Sequence, residues 1–235
     1  MENHKIIVAI GGGSIAQKTT LKIDEHIAEL AKKHAGDKRA VGVFIGTASH
    51  DSMPYFNSFR KTYTSNFDIK ADCVLSVYGE MNDEKINSKF EKADMIYIGG
   101  GDTLFMLDHW KKTGVYEKVL NAYNRGVIIA GLSAGAICWF KQMYTDSDMF
   151  RGGKGYSLAD GMGVLNGLCC PHYEQRKPDF SEAFLTEESI EPAYLLQSDS
   201  AAIFVDGKFE KVLSSGGKAF IARKNGNEIT EEELK

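Results

Sequence analysis

The sequence predicts an α/β fold: a three-layer α/β/α arrangement around a mostly parallel sheet. Three observations carry this. Through the first two thirds of the chain, short apolar, β-branched runs alternate with longer segments of helical period. The runs M-I-Y-I (95–98) and V-I-I-A (127–130) are apolar throughout. Strands buried on both faces read this way, whereas half-exposed strands alternate. Several of these runs end in glycine clusters, at the strand ends where open α/β sheets bind their ligands.

The elements follow in order. Residues 6–10 form a first strand ending in Gly11-Gly12-Gly13-Ser14. Residues 23–34 read as a helix, with Ile23, Ile27, Leu30 and Ala31 on one face. Residues 41–45 form a second strand, 55–63 a helix, 73–78 a third strand and 84–91 a short helix. The fourth strand, 95–98, ends in Gly99-Gly100-Gly101-Asp102-Thr103, where Thr103 is placed to cap the next helix. Residues 104–112 and 116–123 are helical, and 127–130 is the fifth strand. The last third holds short strands at 195–198, 201–205, 209–213 and 219–223, with Asp206-Gly207 as a hairpin turn. These predict an antiparallel extension at one edge of the sheet. The tail, N-E-I-T-E-E-E-L-K, reads as a final helix.

With 235 residues and no linker, repeat or low-complexity block, one domain spanning 1–235 is expected. A net charge of −4 gives no electrostatic reason for nucleic acid or an anionic membrane as partner. No apolar run reaches the ~18 residues of a spanning helix, and the N-terminus lacks signal-peptide character. The four cysteines, Cys73, Cys138, Cys169 and Cys170, form no C-x-x-C. Adjacent Cys169 and Cys170 would face opposite sides of a strand and ligate no common metal. Reduced, buried thiols in a cytoplasmic protein are expected.

Gly131-Leu132-Ser133-Ala134-Gly135 fits G-x-S-x-G between a strand and a helix, the context of a nucleophile elbow. The simpler alternative is a helix-capping serine in a glycine corner. As a nucleophile, Ser133 would project above the sheet, with the Ala134 N–H at the helix start facing a developing oxyanion. Gly100 or Gly101 would supply the second oxyanion donor. There is no P-loop, and Gly11-Gly12-Gly13-Ser14 lacks dinucleotide spacing, so no cofactor and no metal are expected. Of six histidines, His172, after Pro171, is favoured as the base over His50. The acid that orients it is left open between Asp148 and Asp199. Asp146 reads as solvated charge, and the glycine-rich stretch 148–156 as a candidate lid.

Over nearly its whole length the chain resembles the serine peptidase family of dipeptidase E (peptidase E, α-aspartyl dipeptidase) and cyanophycinase. The anchors are I-G-G-G-D-T (98–103), G-L-S-A-G-A (131–136), P-H-Y (171–173) and S-D-S-A-A-I-F-V (198–205). The resemblance implies a fold like class I glutamine amidotransferases (flavodoxin-like), with Ser133 as nucleophile and His172 as base. Where the family often carries a glutamate, the segment here carries Asp199. Dipeptidase E reads an aspartyl substrate partly through an arginine beyond the histidine. Here Arg176 lies too close to take that role, so an aspartyl preference is not carried over. The expected function is a serine peptidase acting on a small peptide substrate, as monomer or homodimer. A non-peptide esterase or amidase, and an inactive amidotransferase-like sensor, are the alternatives.

Overall fold

A computed structural model describes residues 4–186 and 188–235 of the chain. The alternation expected of the first half is present: β1 (Ile6–Ile10), α1 (Leu21–Ala35), β2 (Val41–Ile45), α2 (Met53–Phe67), β3 (Lys70–Val74), α3 (Asp83–Lys92), β4 (Met95–Ile98), α4 (Thr103–Thr113), α5 (Val115–Asn124) and β5 (Ile128–Leu132). Strands β1, β5, β4, β2 and β3 lie side by side in parallel. Successive side chains of a strand point to opposite faces. Val8 and Ile10 therefore pack with Ile23, Ile27, Phe59 and Tyr63 from α1 and α2. Ile7 and Ala9 join Trp110 and Val119 from α4 and α5 on the other side. Asp102, rather than Thr103, caps α4: its side chain accepts from the Phe105 N–H at 3.1 Å, while Thr103 is buried as the first helical residue.

The second half builds a second sheet. Its elements are α6 (Ala134–Ile137), β6 (Phe140–Thr145), β7 (Ser157–Asp160), β8 (Leu165–Pro171), α7 (Tyr173–Thr186), β9 (Ala193–Leu196), β10 (Ser200–Val205), β11 (Lys208–Ser214), β12 (Ala219–Asn225) and β13 (Glu228–Glu233). The first sheet has the order β11-β10-β1-β5-β4-β2-β3 and the second β13-β12-β9-β8-β6-β7. The expected single extension is thus divided: β10 and β11 add antiparallel to the first sheet, while β9, β12 and β13 go to the second. The Asp206-Gly207 turn joins β10 to β11 with both residues at positive φ, 51° and 78°. The tail is β13, not a helix. Pairing with β12 and the Tyr173 hydroxyl bonded to Glu231 at 2.5 Å override the helix propensity of T-E-E-E.

The sheets share a core. Phe140 of β6 and Tyr194 of β9 close on Phe204 of β10, with ring centroids 5.4 and 5.1 Å away. Cys169 faces this shared core and Cys170 the α7 side, with Phe180 and Phe184. All four cysteines are free and buried. Among the described residues no helix is long and apolar enough to cross a membrane.

Candidate active site

The site forms where β5 of one sheet and β8 of the other end. The chain leaves β5 and turns into α6 at Ser133, with φ 52° and ψ −108°. Such a conformation strains any residue with a Cβ, by about 1–3 kcal/mol. Both motif glycines are required by contact. A Cβ on Gly131 would strike the Gly135 carbonyl, and one on Gly135 the Ile98 carbonyl at the end of β4. Ser133 occupies the N-cap position of α6 but makes no capping hydrogen bond. Its Oγ lies 2.7 Å from His172 Nε2 instead. The hydroxyl therefore faces the imidazole rather than the helix end.

His172 follows Pro171 at the end of β8, also at positive φ (125°), and its N–H donates to the Leu196 carbonyl at 3.2 Å. His50, the alternative base, packs against Phe105 with ring centroids 4.2 Å apart and the rings tilted by 39°, whereas the Ser133 Oγ contact is made by His172.

Neither candidate aspartate is a hydrogen-bond partner of His172. Asp199 sits in a left-handed turn (φ 61°), and its Oδ1 accepts from Thr19 Oγ1 at 2.5 Å. That turn aims its carboxylate at the chain entering α1. Asp148 opens a 3-10 turn (Met149–Arg151), and its Oδ2 accepts from Ser157 Oγ at 3.0 Å. The residue facing His172 Nδ1 is Ser198, whose Oγ lies 3.4 Å away. Ser198 in turn donates from Oγ to Glu174 Oε1 at 2.6 Å and from its N–H to Glu174 Oε2 at 3.1 Å. No local pattern singles out this pair, because serine and an exposed glutamate are ordinary surface residues.

Gly12 was also missed. A Cβ there would fall on His172 Nδ1 and Cε1 and on Ser198 Oγ. The first glycine loop thus seats the His172 ring. Three consecutive glycines after a strand were the available signal, since they mark a close approach by some other group.

Of the candidate oxyanion donors, Ala134 is the first residue of α6, where the N–H has no partner within its helix. The Gly100 N–H donates to the Tyr55 hydroxyl at 3.4 Å, a long bond that a substrate oxygen can replace. A Cβ on Gly100 would press on Leu132 and Ser133 at 3.3–3.4 Å. One on Gly101 would strike the Ala48 carbonyl, and Gly101 has φ 138°, so substitution there would unseat the loop itself.

These groups line a cleft of about 530 Å³, with Ser133, His172, Gly100 and Gly101 on one side and Tyr55, Asp146 and Phe150 around them. Asp146 is not merely solvated charge. Its Oδ2 pairs with Arg176 at 3.1 Å, and Arg176 is only 3% exposed. The same guanidinium donates to the Tyr144 carbonyl at 2.9 Å and lies 4.7 Å above the Tyr156 ring. Arg176 therefore anchors the cleft wall. In the stretch 148–156, Phe150 reaches the cleft while 61% exposed.

Residues 7–212 match the sequence profile of peptidase family S51. The chain belongs to peptidase family S51. The peptidase is 31% identical over 236 residues to the uncharacterized peptidase YgaJ of Bacillus subtilis, covering 97% of this chain and 96% of that protein. It is 28% identical over 98 residues to Peptidase E of Streptomyces coelicolor, 41% of this chain and 40% of that one. Among solved structures, a peptidase from an acI-B1 Actinobacterium has a similar fold, with TM-score 0.68, 15% identity and coverage of 97% and 93%. So does a putative peptidase E from Listeria monocytogenes EGD-e, with TM-score 0.64, 17% identity and coverage of 90% and 98%.

Burial, helped by the Arg176 guanidinium, draws the His172 pKa of the peptidase down to about 4, against the opposite pull of Glu174 and Asp146. Only neutral imidazole accepts a proton, and here it is neutral above that value. The kcat/KM profile, which reports the free enzyme, is expected to rise with pH through about 4 and to be level by about pH 6. An unshifted histidine would put this limb near 6.5. A limb near 6.5 in folded protein would mean that the buried His172 is not the group that must be neutral for turnover.

Proposed function

We propose that this S51 peptidase is a cytoplasmic serine dipeptidase. The observation that carries the reading is the 2.7 Å contact between Ser133 Oγ, held in a strained elbow, and His172 Nε2. Ser133 attacks the scissile carbonyl carbon as its proton passes to Nε2. The Ala134 and Gly100 N–H groups stabilise the oxyanion, each such donor supplying about 2.7–4 kcal/mol. The imidazolium then protonates the leaving amine, and water, deprotonated by His172, releases the acyl group from Ser133. Two features support a small substrate. The cleft, about 530 Å³, falls within the usual range of small-molecule sites. Among the described residues, its lining includes one carboxylate, Asp146, and no lysine or arginine. That carboxylate is paired with Arg176 at 3.1 Å, so the lining presents no unpaired charge and favours uncharged side chains over an acidic one. Four unpaired, buried thiols support a reducing compartment.

The test is intact-protein mass spectrometry after fluorophosphonate treatment, followed by turnover of dipeptides and short-chain esters. A single adduct is expected on wild type and none on Ser133→Ala, with neutral dipeptides cleaved faster than aspartyl ones. An unlabelled, well-folded wild type would overturn the reading in favour of an inactive sensor. Labelling with ester turnover alone would make the protein an esterase.

A further inference from the structure

We propose that Ser198 and Glu174 together replace the aspartate of a Ser-His-Asp triad, as positioning residues that lock His172 in its Nδ1–H tautomer. The proposal rests on the serine-peptidase reading for its purpose, but its geometry stands alone. A serine hydroxyl has one proton to give, and an ionised carboxylate can only accept. The 2.6 Å bond commits the Ser198 proton to Glu174 Oε1, and the Ser198 N–H bond to Oε2 closes a two-point grip. Ser198 Oγ then has only lone pairs left to face Nδ1. The hydrogen must therefore sit on Nδ1, which leaves Nε2 bare to accept from Ser133. Three donations run in one direction: Ser133 to His172, His172 to Ser198, and Ser198 to Glu174.

The middle link, 3.4 Å, is long. Catalytic hydrogen bonds are often loose in the free enzyme and tighten as charge develops, and an imidazolium at His172 would strengthen this one. The other charged groups acting on His172 are Arg176, also on α7, and Asp146 after β6. Those two bond each other at 3.1 Å, and neither is a partner of Nδ1. Glu174 is exposed, so solvent screens its charge. Its influence passes mainly through the hydroxyl that it orients. Chain geometry makes the arrangement compact, because Glu174 lies two residues beyond the base, in the first turn of α7, and Ser198 lies in the turn from β9 to β10.

The experiment is ¹⁵N NMR of the His172 ring, with steady-state kinetics, in wild type, Ser198→Ala, Glu174→Ala, Glu174→Gln and Ser198→Thr. The Nδ1–H tautomer is expected to dominate in wild type. It should give way to a mixture in both alanine variants, with kcat lowered about tenfold or more and KM little changed, a part of the 10²–10⁴-fold that positioned acid–base groups supply. Glu174→Gln keeps an acceptor oxygen and Ser198→Thr keeps the hydroxyl, so both should retain the tautomer. An Nε2–H tautomer in wild type, or an unaltered Nδ1–H tautomer in folded alanine variants, would overturn the relay. Failure of the peptidase reading would appear separately, as absent Ser133 labelling, with the tautomer result still standing.

Discussion

Ser133→Ala is expected to lower kcat by roughly 10⁴–10⁶-fold, and His172→Ala by about as much. In the proposed mechanism the two side chains act as one unit across the 2.7 Å contact, so the double variant should lose little more than either single one. Alanine retains a Cβ, which leaves the strain of the elbow unchanged, and Ser133 caps no helix donor that would be orphaned. The loss should therefore appear in kcat while the fold survives. Steady-state kinetics on a cleaved dipeptide, with circular dichroism as control, checks this. Losses that multiply in the double variant would mean that serine and histidine act independently, and the proposed mechanism would fail.

Gly12→Ala should produce the next largest effect, a fall in kcat/KM of about 10²-fold or more. The added methyl would occupy the space of the His172 ring and of Ser198 Oγ. The ring must move, and a displacement of about 1 Å at a reacting group is worth roughly 10²-fold. Gly12 is not among the glycines at positive φ, so its backbone accepts alanine without strain. That separates it from Gly13, with φ 116°, where a Cβ would also meet the Asp199 carboxylate. Comparing kcat/KM and thermal stability of Gly12→Ala and wild type tests the point. A stable, fully active Gly12→Ala would show that the base does not rest on this loop.

Much of the fold is legible in the sequence because the relevant signals are local. Strands β1, β2, β4 and β5 are short, largely apolar runs, and the helices between them carry the period, with side-chain caps from Asn82 on α3 and Asp102 on α4. Strand β3, K-A-D-C-V, has no such run and lies at 70–74 rather than the expected 73–78. The elbow is legible because its two glycines are needed for backbone contacts within a few residues or with the neighbouring strand. Strands β6 to β8 were harder to see. Their polar residues, such as Gln142, are taken up by tertiary partners: its amide donates to the Glu188 carbonyl and accepts from the Ile190 N–H. The division of the C-terminal strands between two sheets depends on which edges are free, which no local pattern encodes. The same holds at the site. Asp199 was a reasonable orienting acid by type and position, but a left-handed turn gives its carboxylate to Thr19 and leaves Ser198 beside the ring. One residue of turn geometry thus changes which side chain meets the base.

Ser133 follows a strand of one sheet and His172 a strand of the other. Their spacing is therefore a gauge of how the two layers sit on one another, held by core packing such as the mutual contacts of Phe140, Tyr194 and Phe204. A slip between the layers too small to expose the core would still part Ser133 from His172. Turnover in this enzyme is thus a sensitive reporter of internal alignment, and residues far from any substrate share in setting it.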